Sequence, residues 1–112
     1  MAHLILGKSW GKTYKIKLKV DKYLNDRLLI AMLYYDSNVK QYMPYASLTV
    51  NIPWAPCGSD SAFVDTNNCG EKILKWITDN NLGVETGRYV RSGYCAYPEV
   101  HFNLDEVMKY VQ

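Results

Sequence analysis

The sequence predicts an α+β domain, in which an antiparallel sheet of about four to six strands is packed against one amphipathic helix and followed by a short C-terminal helix. The first half of the chain holds a run of strand patterns, and the second half holds a helical stripe, a strand and a short helix. That order favours an antiparallel sheet, because a parallel doubly wound sheet needs strictly alternating strands and helices. The chain has 112 residues, 48% of them hydrophobic and 21% charged, which fits a single domain spanning 1–112.

The first long strand is predicted from the strict alternation of apolar and polar residues between Thr13 and Val20. Its buried face would carry Tyr14, Ile16, Leu18 and Val20. Its solvated face would carry Lys15, Lys17 and Lys19. A short strand from His3 to Leu6 is expected before it, with a turn over Gly7 to Gly11 between the two.

Apolar runs separated by turn residues predict the remaining strands. These strands are expected at Leu28 to Tyr35, Tyr45 to Ile52, Ala62 to Val64 and Tyr94 to Phe102. The irregular positions are a turn at Asp36-Ser37-Asn38, a strand beginning at Met43-Pro44 and an interruption at Pro98. Pro53 to Ser61 is typical of an exposed loop, and Val84 to Gly93 of a loop or irregular hairpin.

Two helices are predicted from caps and spacing. Asn67 or Asn68 would cap the first helix, and Glu71 would place a carboxylate in its first turn. Its apolar stripe is Ile73, Leu74, Trp76 and Ile77, and Leu82-Gly83 ends the pattern. The C-terminal helix is expected from Leu104 to Tyr110, with Asn103 and Glu106 in a capping-box arrangement.

The charge of the chain is unevenly distributed. Residues 1–23 hold six lysines and one aspartate, or +5, whereas the remainder holds seven basic and ten acidic residues, or −3. Lysines two residues apart on a strand project about 7 Å apart, which matches consecutive phosphates of a nucleic-acid strand. The same row would also keep a sheet soluble and protect its edge, or dock onto an acidic protein surface.

Six basic residues are therefore predicted to bind a partner. Four of them are lysines of the basic segment 1–23. The other two are arginines between Gly87 and Gly93 that would bind a phosphate or carboxylate through two hydrogen bonds. A solvated loop is the alternative for the two arginines. The predicted set is Lys15, Lys17, Lys19, Lys22, Arg88 and Arg91.

Cysteine chemistry is a further possibility. Cys69 follows Asn67-Asn68 at an expected helix N-terminus, so with His101 and Asn67 or Asp65 it suggests a cysteine nucleophile, although a lone cysteine at a helix start is more often a small packed side chain. The potential zinc ligands, Cys57, Cys69, Cys95 and His101, have no compact metal-binding spacing and include no C-x-x-C pair. Reduced thiols are expected, and no catalytic residue, metal site or cofactor is predicted.

The chain also lacks the patterns that direct a protein to a membrane. No apolar run approaches the ~20 residues of a membrane span. The segment from Met1 to Leu6 is too short and too weakly charged for a secretory signal. A cytoplasmic location is therefore expected.

Three strings carry a resemblance to a known family. They are Ala46-Ser47-Leu48-Thr49-Val50-Asn51-Ile52, Ala62-Phe63-Val64-Asp65-Thr66-Asn67-Asn68-Cys69, and Thr86-Gly87-Arg88 with Ser92-Gly93-Tyr94-Cys95-Ala96-Tyr97-Pro98. From about Tyr14 onward the chain resembles a small family of uncharacterised domains found mainly in gut-type Gram-positive bacteria, their phages and mobile elements. The resemblance implies no activity, but this context raises the expectation of a host-defence antagonist such as an anti-CRISPR protein.

These observations give one leading hypothesis and two alternatives. The leading hypothesis is a non-enzymatic inhibitor that contacts a host protein or ribonucleoprotein complex directly through the lysine face and nearby tyrosines. The first alternative is a small nucleic-acid-binding protein that uses the same lysines. The second is a cysteine-dependent or metal-dependent enzyme.

Overall fold

The computed structural model describes residues 2–7 and 12–112. Of the turn expected at Gly7 to Gly11, only Gly7 lies within the described residues. Eight strands and three helices are formed within these ranges. In chain order they are β1 (Leu4–Gly7), β2 (Thr13–Lys22), β3 (Leu28–Asp36), β4 (Gln41–Ser47), β5 (Thr49–Val50), β6 (Ser61–Val64), α1 (Thr66–Cys69), α2 (Lys72–Asp79), β7 (Gly83–Ser92), β8 (Cys95–Phe102) and α3 (Leu104–Met108).

The strands form two antiparallel sheets of four strands each. Sheet 1 has the order β1-β2-β3-β4, and sheet 2 has the order β5-β6-β8-β7. The predicted α+β class, antiparallel pairing and short C-terminal helix are confirmed. Each sheet forms a separate layer. The core lies between the two sheets and beneath α2.

The chain passes from one sheet to the other at Leu48. The Leu48 amide donates to the carbonyl oxygen of Ile30 (2.9 Å) in sheet 1, and its carbonyl accepts from the Asp65 amide (3.0 Å) next to sheet 2. The strand predicted from Tyr45 to Ile52 is therefore wrong: its first part is the end of β4, and only Thr49–Val50 continues as β5. Because Leu48 is fully buried, this corner fixes the two sheets against each other.

One hydrophobic core joins the inner sheet faces and the helices. The inner set predicted for β2 is confirmed at Ile16 and Leu18, which are fully buried, whereas Lys17, predicted on the solvated face, is also buried. The C-terminus closes this layer, because the Leu18 amide donates to the Tyr110 carbonyl (2.9 Å) and the Gln112 amide to the Leu18 carbonyl (3.2 Å). The fully buried members include Ile16, Leu18, Ile30, Leu48, Val64, Leu82 and Val107.

Two prolines are placed where their missing N–H is tolerated. Pro44 lies in edge strand β4, next to a register shift that leaves Tyr45 as an extra residue between the Leu33–Pro44 and Met32–Ala46 pairs. Pro98 lies in β8 beyond the last pair with β6, so it interrupts no bond to that strand. The loop or irregular hairpin expected from Val84 to Gly93 is instead the single strand β7, which pairs with β8 and has a register shift between Glu85 and Tyr89.

The single helix expected after Asn67-Asn68 is instead two short helices. Gly70 adopts φ 83° and separates α1 from α2, which carries the predicted apolar stripe. The capping residue is Asp65, whose Oδ1 accepts from the Asn68 amide at 3.2 Å, so the prediction of an asparagine cap is wrong. No helix in the described part of the chain is long and apolar enough to cross a membrane.

The predicted cap of α3 is confirmed. Asn103 Oδ1 accepts from the Glu106 amide at 3.4 Å. The reciprocal half of the capping box does not form, because the Asn103 amide donates to the Leu82 carbonyl (2.8 Å). The Glu106 carboxylate instead accepts from Lys109 Nζ at 3.0 Å.

Candidate partner-binding face

The outer face of sheet 1 gathers the predicted lysines with apolar and aromatic side chains from neighbouring strands. Residues directly opposite each other in an antiparallel pair share one face of the sheet. Ile5 lies opposite Lys15, Leu33 opposite Lys17, and Tyr42 opposite Tyr35. We call this surface the lysine–tyrosine face; it comprises Ile5, Lys15, Lys17, Lys19, Leu33, Tyr35 and Tyr42.

Two of the lysines lie over tyrosine rings. Lys15 Nζ is 5.9 Å from the Tyr35 ring centroid, and Lys17 Nζ is 4.9 Å from the Tyr42 ring centroid. The two rings contact each other, with centroids 5.3 Å apart and an interplanar angle of 67°. Because the face of an aromatic ring attracts a cation, these contacts hold the ammonium groups in defined positions.

The three lysines of the row differ in accessibility. Lys17 is only 7% exposed, whereas Lys15 and Lys19 on either side of it are exposed. Its long aliphatic stem is covered within the face, as expected for a lysine that packs along apolar surface. The row therefore presents two accessible cations with a buried one between them.

The sequence pattern did not reveal that Tyr35 and Tyr42 would join the lysines. Tyr14, the aromatic residue of β2 itself, lies on the inner face, where its ring is 5.8 Å from that of Tyr34. A signal existed in the Asp36-Ser37-Asn38 turn, because a hairpin across it pairs Tyr35 with Tyr42. The next strand is predicted to begin only at Met43-Pro44, after Tyr42, so the sequence pattern does not predict this pair.

Lys22 and the two arginines lie elsewhere. Lys22 is opposite Leu28 on the other side of β2 and lines a cavity of about 560 Å³ with Cys57 and Ser61. Arg91 is exposed on β7, at the register position opposite Ala96. The structure thus brings together three of the six predicted residues, Lys15, Lys17 and Lys19.

Arg88 is engaged within the molecule. Its Nη1 lies 3.6 Å from Glu99 Oε1, and its Nη2 donates to the Pro56 carbonyl oxygen at 3.1 Å. These contacts hold the loop that begins at Pro53 against sheet 2. Arg88 was expected to bind an anion of a partner, but its guanidinium group instead contacts the Glu99 carboxylate of the same chain.

Glu99 is a buried acid that the sequence pattern did not single out. It is 2% exposed and accepts from the Gly58 amide (3.1 Å) and from Thr86 Oγ1 (2.8 Å). Burial by itself would raise the pKa of Glu99, but hydrogen bonds from Gly58, Thr86 and Cys57 together with Arg88 lower it. Burial raises the pKa of the Cys57 thiol, and the Glu99 carboxylate adds to that effect.

The cysteine site considered from the sequence is not assembled. Cys69 is the last residue of α1, not part of a helix N-terminus, and its Sγ donates to the Ser47 carbonyl oxygen at 3.5 Å. His101 contacts a different group, with Nδ1 3.2 Å from Ser61 Oγ on sheet 2. The carboxylate of Asp65 is used to cap α1.

The potential metal ligands are likewise dispersed. No disulfide joins Cys57, Cys69 or Cys95. Among the residues that the structure describes, no three or more His, Cys, Asp and Glu side chains are grouped so that they could hold a metal ion.

The comparison with known families identifies the domain. Residues 17–112 match a domain of unknown function, DUF4313. The chain belongs to this family. The expected membership of an uncharacterised family is thereby confirmed, and the DUF4313 match includes Lys17 and Lys19 but begins after Lys15. No curated protein and no solved structure matches the chain.

Proposed function

We propose that this DUF4313 protein is a non-enzymatic binding protein whose lysine–tyrosine face contacts an acidic surface of another protein. The proposed role is that of a phage or mobile-element inhibitor of a host defence complex of the CRISPR type, acting in the host cytoplasm. The observation that carries the proposal is the placement of Lys15 and Lys17 over Tyr35 and Tyr42.

The composition of the face favours a protein partner. Tyrosine and apolar side chains are enriched at protein interfaces, and here Ile5 and Leu33 lie beside the lysines. A platform for nucleic-acid bases needs ring faces that are open for stacking, whereas these rings have ammonium groups over them.

The accessible lysines suit rapid and specific association. Exposed cations on an otherwise balanced chain steer encounters with an acidic patch. Side chains that are already ordered lose less entropy on binding than free lysines would. The inhibitor role is supported by the resemblance to domains of phages and mobile elements, because such elements carry many small single-domain inhibitors.

A pulldown from host-cell lysate tests the proposal. Lys15→Glu with Lys19→Glu reverses the two accessible charges and leaves buried Lys17 in place. Lys72→Glu with Arg91→Glu is the matched control, since it makes the same charge change at exposed positions off the face. We expect K15E/K19E to lose the partner and K72E/R91E to keep it, with equal melting temperatures; a partner retained by K15E/K19E would contradict the proposal.

Nucleic-acid binding is the second candidate, and the exposed Lys15 and Lys19 on one strand favour it. Such cations can contact the phosphates of a single strand without base stacking. Such binding must weaken steeply as salt rises, because each phosphate contact releases counterions. Fluorescence anisotropy with labelled single-stranded DNA and RNA decides the matter: no binding, or binding insensitive to salt, would exclude this candidate.

A further inference from the structure

Two turns meet at one corner of the molecule, beyond the end of β2. Residues 23–27 connect β2 to β3, and residues 52–55 follow β5. Three hydrogen bonds from side chains of the first turn fix it to residues 49–55. They are Tyr23 Oη to Thr49 O (3.3 Å), Asn25 Nδ2 to Asn51 Oδ1 (3.2 Å) and Arg27 Nη2 to Ala55 O (2.7 Å).

Each turn is also fixed internally. The Tyr23 amide donates to the Arg27 carbonyl (2.8 Å), and the Asp26 amide donates to the Tyr23 carbonyl (2.9 Å). In the second turn the Ala55 amide donates to the Ile52 carbonyl (3.1 Å), and Ala55 is buried. The positions between these bonds are therefore held rigidly.

The rigid positions carry two exposed apolar side chains. Leu24 is fully exposed, and Trp54 is 67% exposed. Single exposed apolar residues are common on protein surfaces, but these two lie on turns that are bonded to each other. Tryptophan is enriched among the residues that dominate binding energy, and a rigid support reduces the entropy lost on binding.

We infer that Leu24 and Trp54, the Leu24–Trp54 tip, are a second contact that inserts into an apolar cleft of the protein bound by the lysine–tyrosine face. This inference rests on the proposed function. Leu24 is five residues from Lys19, so their Cα atoms are no more than about 18 Å apart. A typical interface of about 800 Å² per partner spans that distance.

The local charges favour an apolar protein cleft over a polyanion. Within residues 21–27, two acidic residues accompany two basic ones, so this segment carries no net charge. They are Asp21, Lys22, Asp26 and Arg27. A projecting tip without net charge gains its affinity from buried apolar area, and that contribution is insensitive to salt.

The experiment separates the two contacts by their response to salt. The probe is the host-lysate protein that the unaltered chain retains, measured at low and at high salt. We expect Leu24→Ser with Trp54→Ser to lower retention at least about tenfold at both salt concentrations. K15E/K19E should lower retention mainly at low salt, and Val39→Ser with Tyr94→Ser, at exposed apolar positions on other turns, should change neither value.

Photocrosslinking checks that both surfaces contact one protein. A benzophenone amino acid at position 54 and another at position 33 should label the same partner. The melting temperature of L24S/W54S should equal that of the unaltered chain, because both side chains are exposed. The single variants L24S and W54S provide the measurement if the double variant unfolds.

Several results would overturn the inference. Full retention by L24S/W54S, with loss in K15E/K19E, removes the tip and leaves the proposed function standing. Full retention by K15E/K19E contradicts the proposed function and the inference that rests on it, even if L24S/W54S loses the partner, and a chain that retains no protein refutes both. A concentration-dependent dimer lost in L24S/W54S, or Trp54-dependent binding to phosphatidylglycerol vesicles, would assign the tip to a different occupant.

Discussion

The ammonium nitrogen of Lys17 lies 4.9 Å from the centroid of the Tyr42 ring, and only 7% of Lys17 is exposed. A lysine is seldom buried unless other groups compensate for its lost hydration. The Tyr42 ring supplies part of that compensation from edge strand β4, which is separated from β2 by β3. Lys17 therefore stabilises the face from within, and the exposed Lys15 and Lys19 are left to meet a partner.

Charge reversal at Lys17 should destabilise the fold more than at Lys19. We expect Lys17→Glu to lower the free energy of unfolding by about 2–3 kcal/mol, because it buries an anion against the ring faces. Lys19→Glu, at an exposed position of the same strand, should change it by less than about 0.5 kcal/mol. Urea unfolding monitored by circular dichroism measures both; equal effects would show that Lys17 is not held within the face.

Removal of the Glu99 charge should loosen the loop that Gly58 belongs to. Glu99→Gln removes the anion beside Arg88 and weakens the hydrogen bonds from Gly58 and Thr86, so we expect a loss of about 1–2 kcal/mol at neutral pH. Glu85→Gln, on the exposed strand β7, is the control and should cost less than about 0.5 kcal/mol. Urea unfolding of the two variants tests this, and a small effect for E99Q would refute the stabilising role of the carboxylate.

The same carboxylate predicts how stability depends on pH. The folded-state pKa of Glu99 lies below the ordinary value of 4.5, so the unfolded chain takes up a proton first as the pH falls. The stabilisation is complete above pH 4.5 and is lost as the pH falls through the lowered pKa. The stability difference between the unaltered chain and E99Q should therefore shrink in acid; a difference that grows in acid would have the wrong sign.

The cap of α1 gives a prediction that separates the observed residue from the expected one. Asp65→Ala should cost about 1–2 kcal/mol, because the carboxylate accepts from the Asn68 amide and from its side chain (2.9 Å). Asn67→Ala should change the free energy of unfolding by less than about 0.5 kcal/mol, because Asn67 is exposed. Thermal unfolding compares the two variants, and destabilisation confined to N67A would show that Asn67, and not Asp65, caps α1.

A close approach at Gly83 predicts a further cost. A Cβ at this position would lie 2.7 Å from Val100 Cγ1 and 2.8 Å from the His101 carbonyl oxygen. Gly83→Ala should therefore destabilise the protein by about 1–3 kcal/mol. Gly7→Ala meets nothing within 4 Å and is the matched control. Comparable melting temperatures for G83A and G7A would contradict this packing.

Local sequence patterns predicted β2 well because strand alternation is a short-range property. The lysine row and the buried set behind it follow from neighbours two residues apart, and the Asn103 cap follows from a contact three residues away. The tyrosines of the face come from β3 and β4, so their contact with the lysines depends on strand register. Pro44 concealed that register, because an edge-strand proline resembles a strand boundary.

The features that the sequence did not predict depend on long-range contacts. Leu48 turns the chain between two sheets through bonds to Ile30 and Asp65, neither of which is adjacent in sequence. Glu99 gathers its donors from Gly58 and Thr86. No periodicity marks such a site, since each contributor is an isolated polar residue within a strand or loop.

The most direct test of a partner-binding lysine–tyrosine face is the association rate of the purified partner with three forms of the chain. Interferometry at low salt should give equal rates for the unaltered chain and K72E/R91E. The rate for K15E/K19E should be at least about tenfold slower, because charge complementarity acts mainly on encounter. Equal rates and affinities for all three forms would contradict the account.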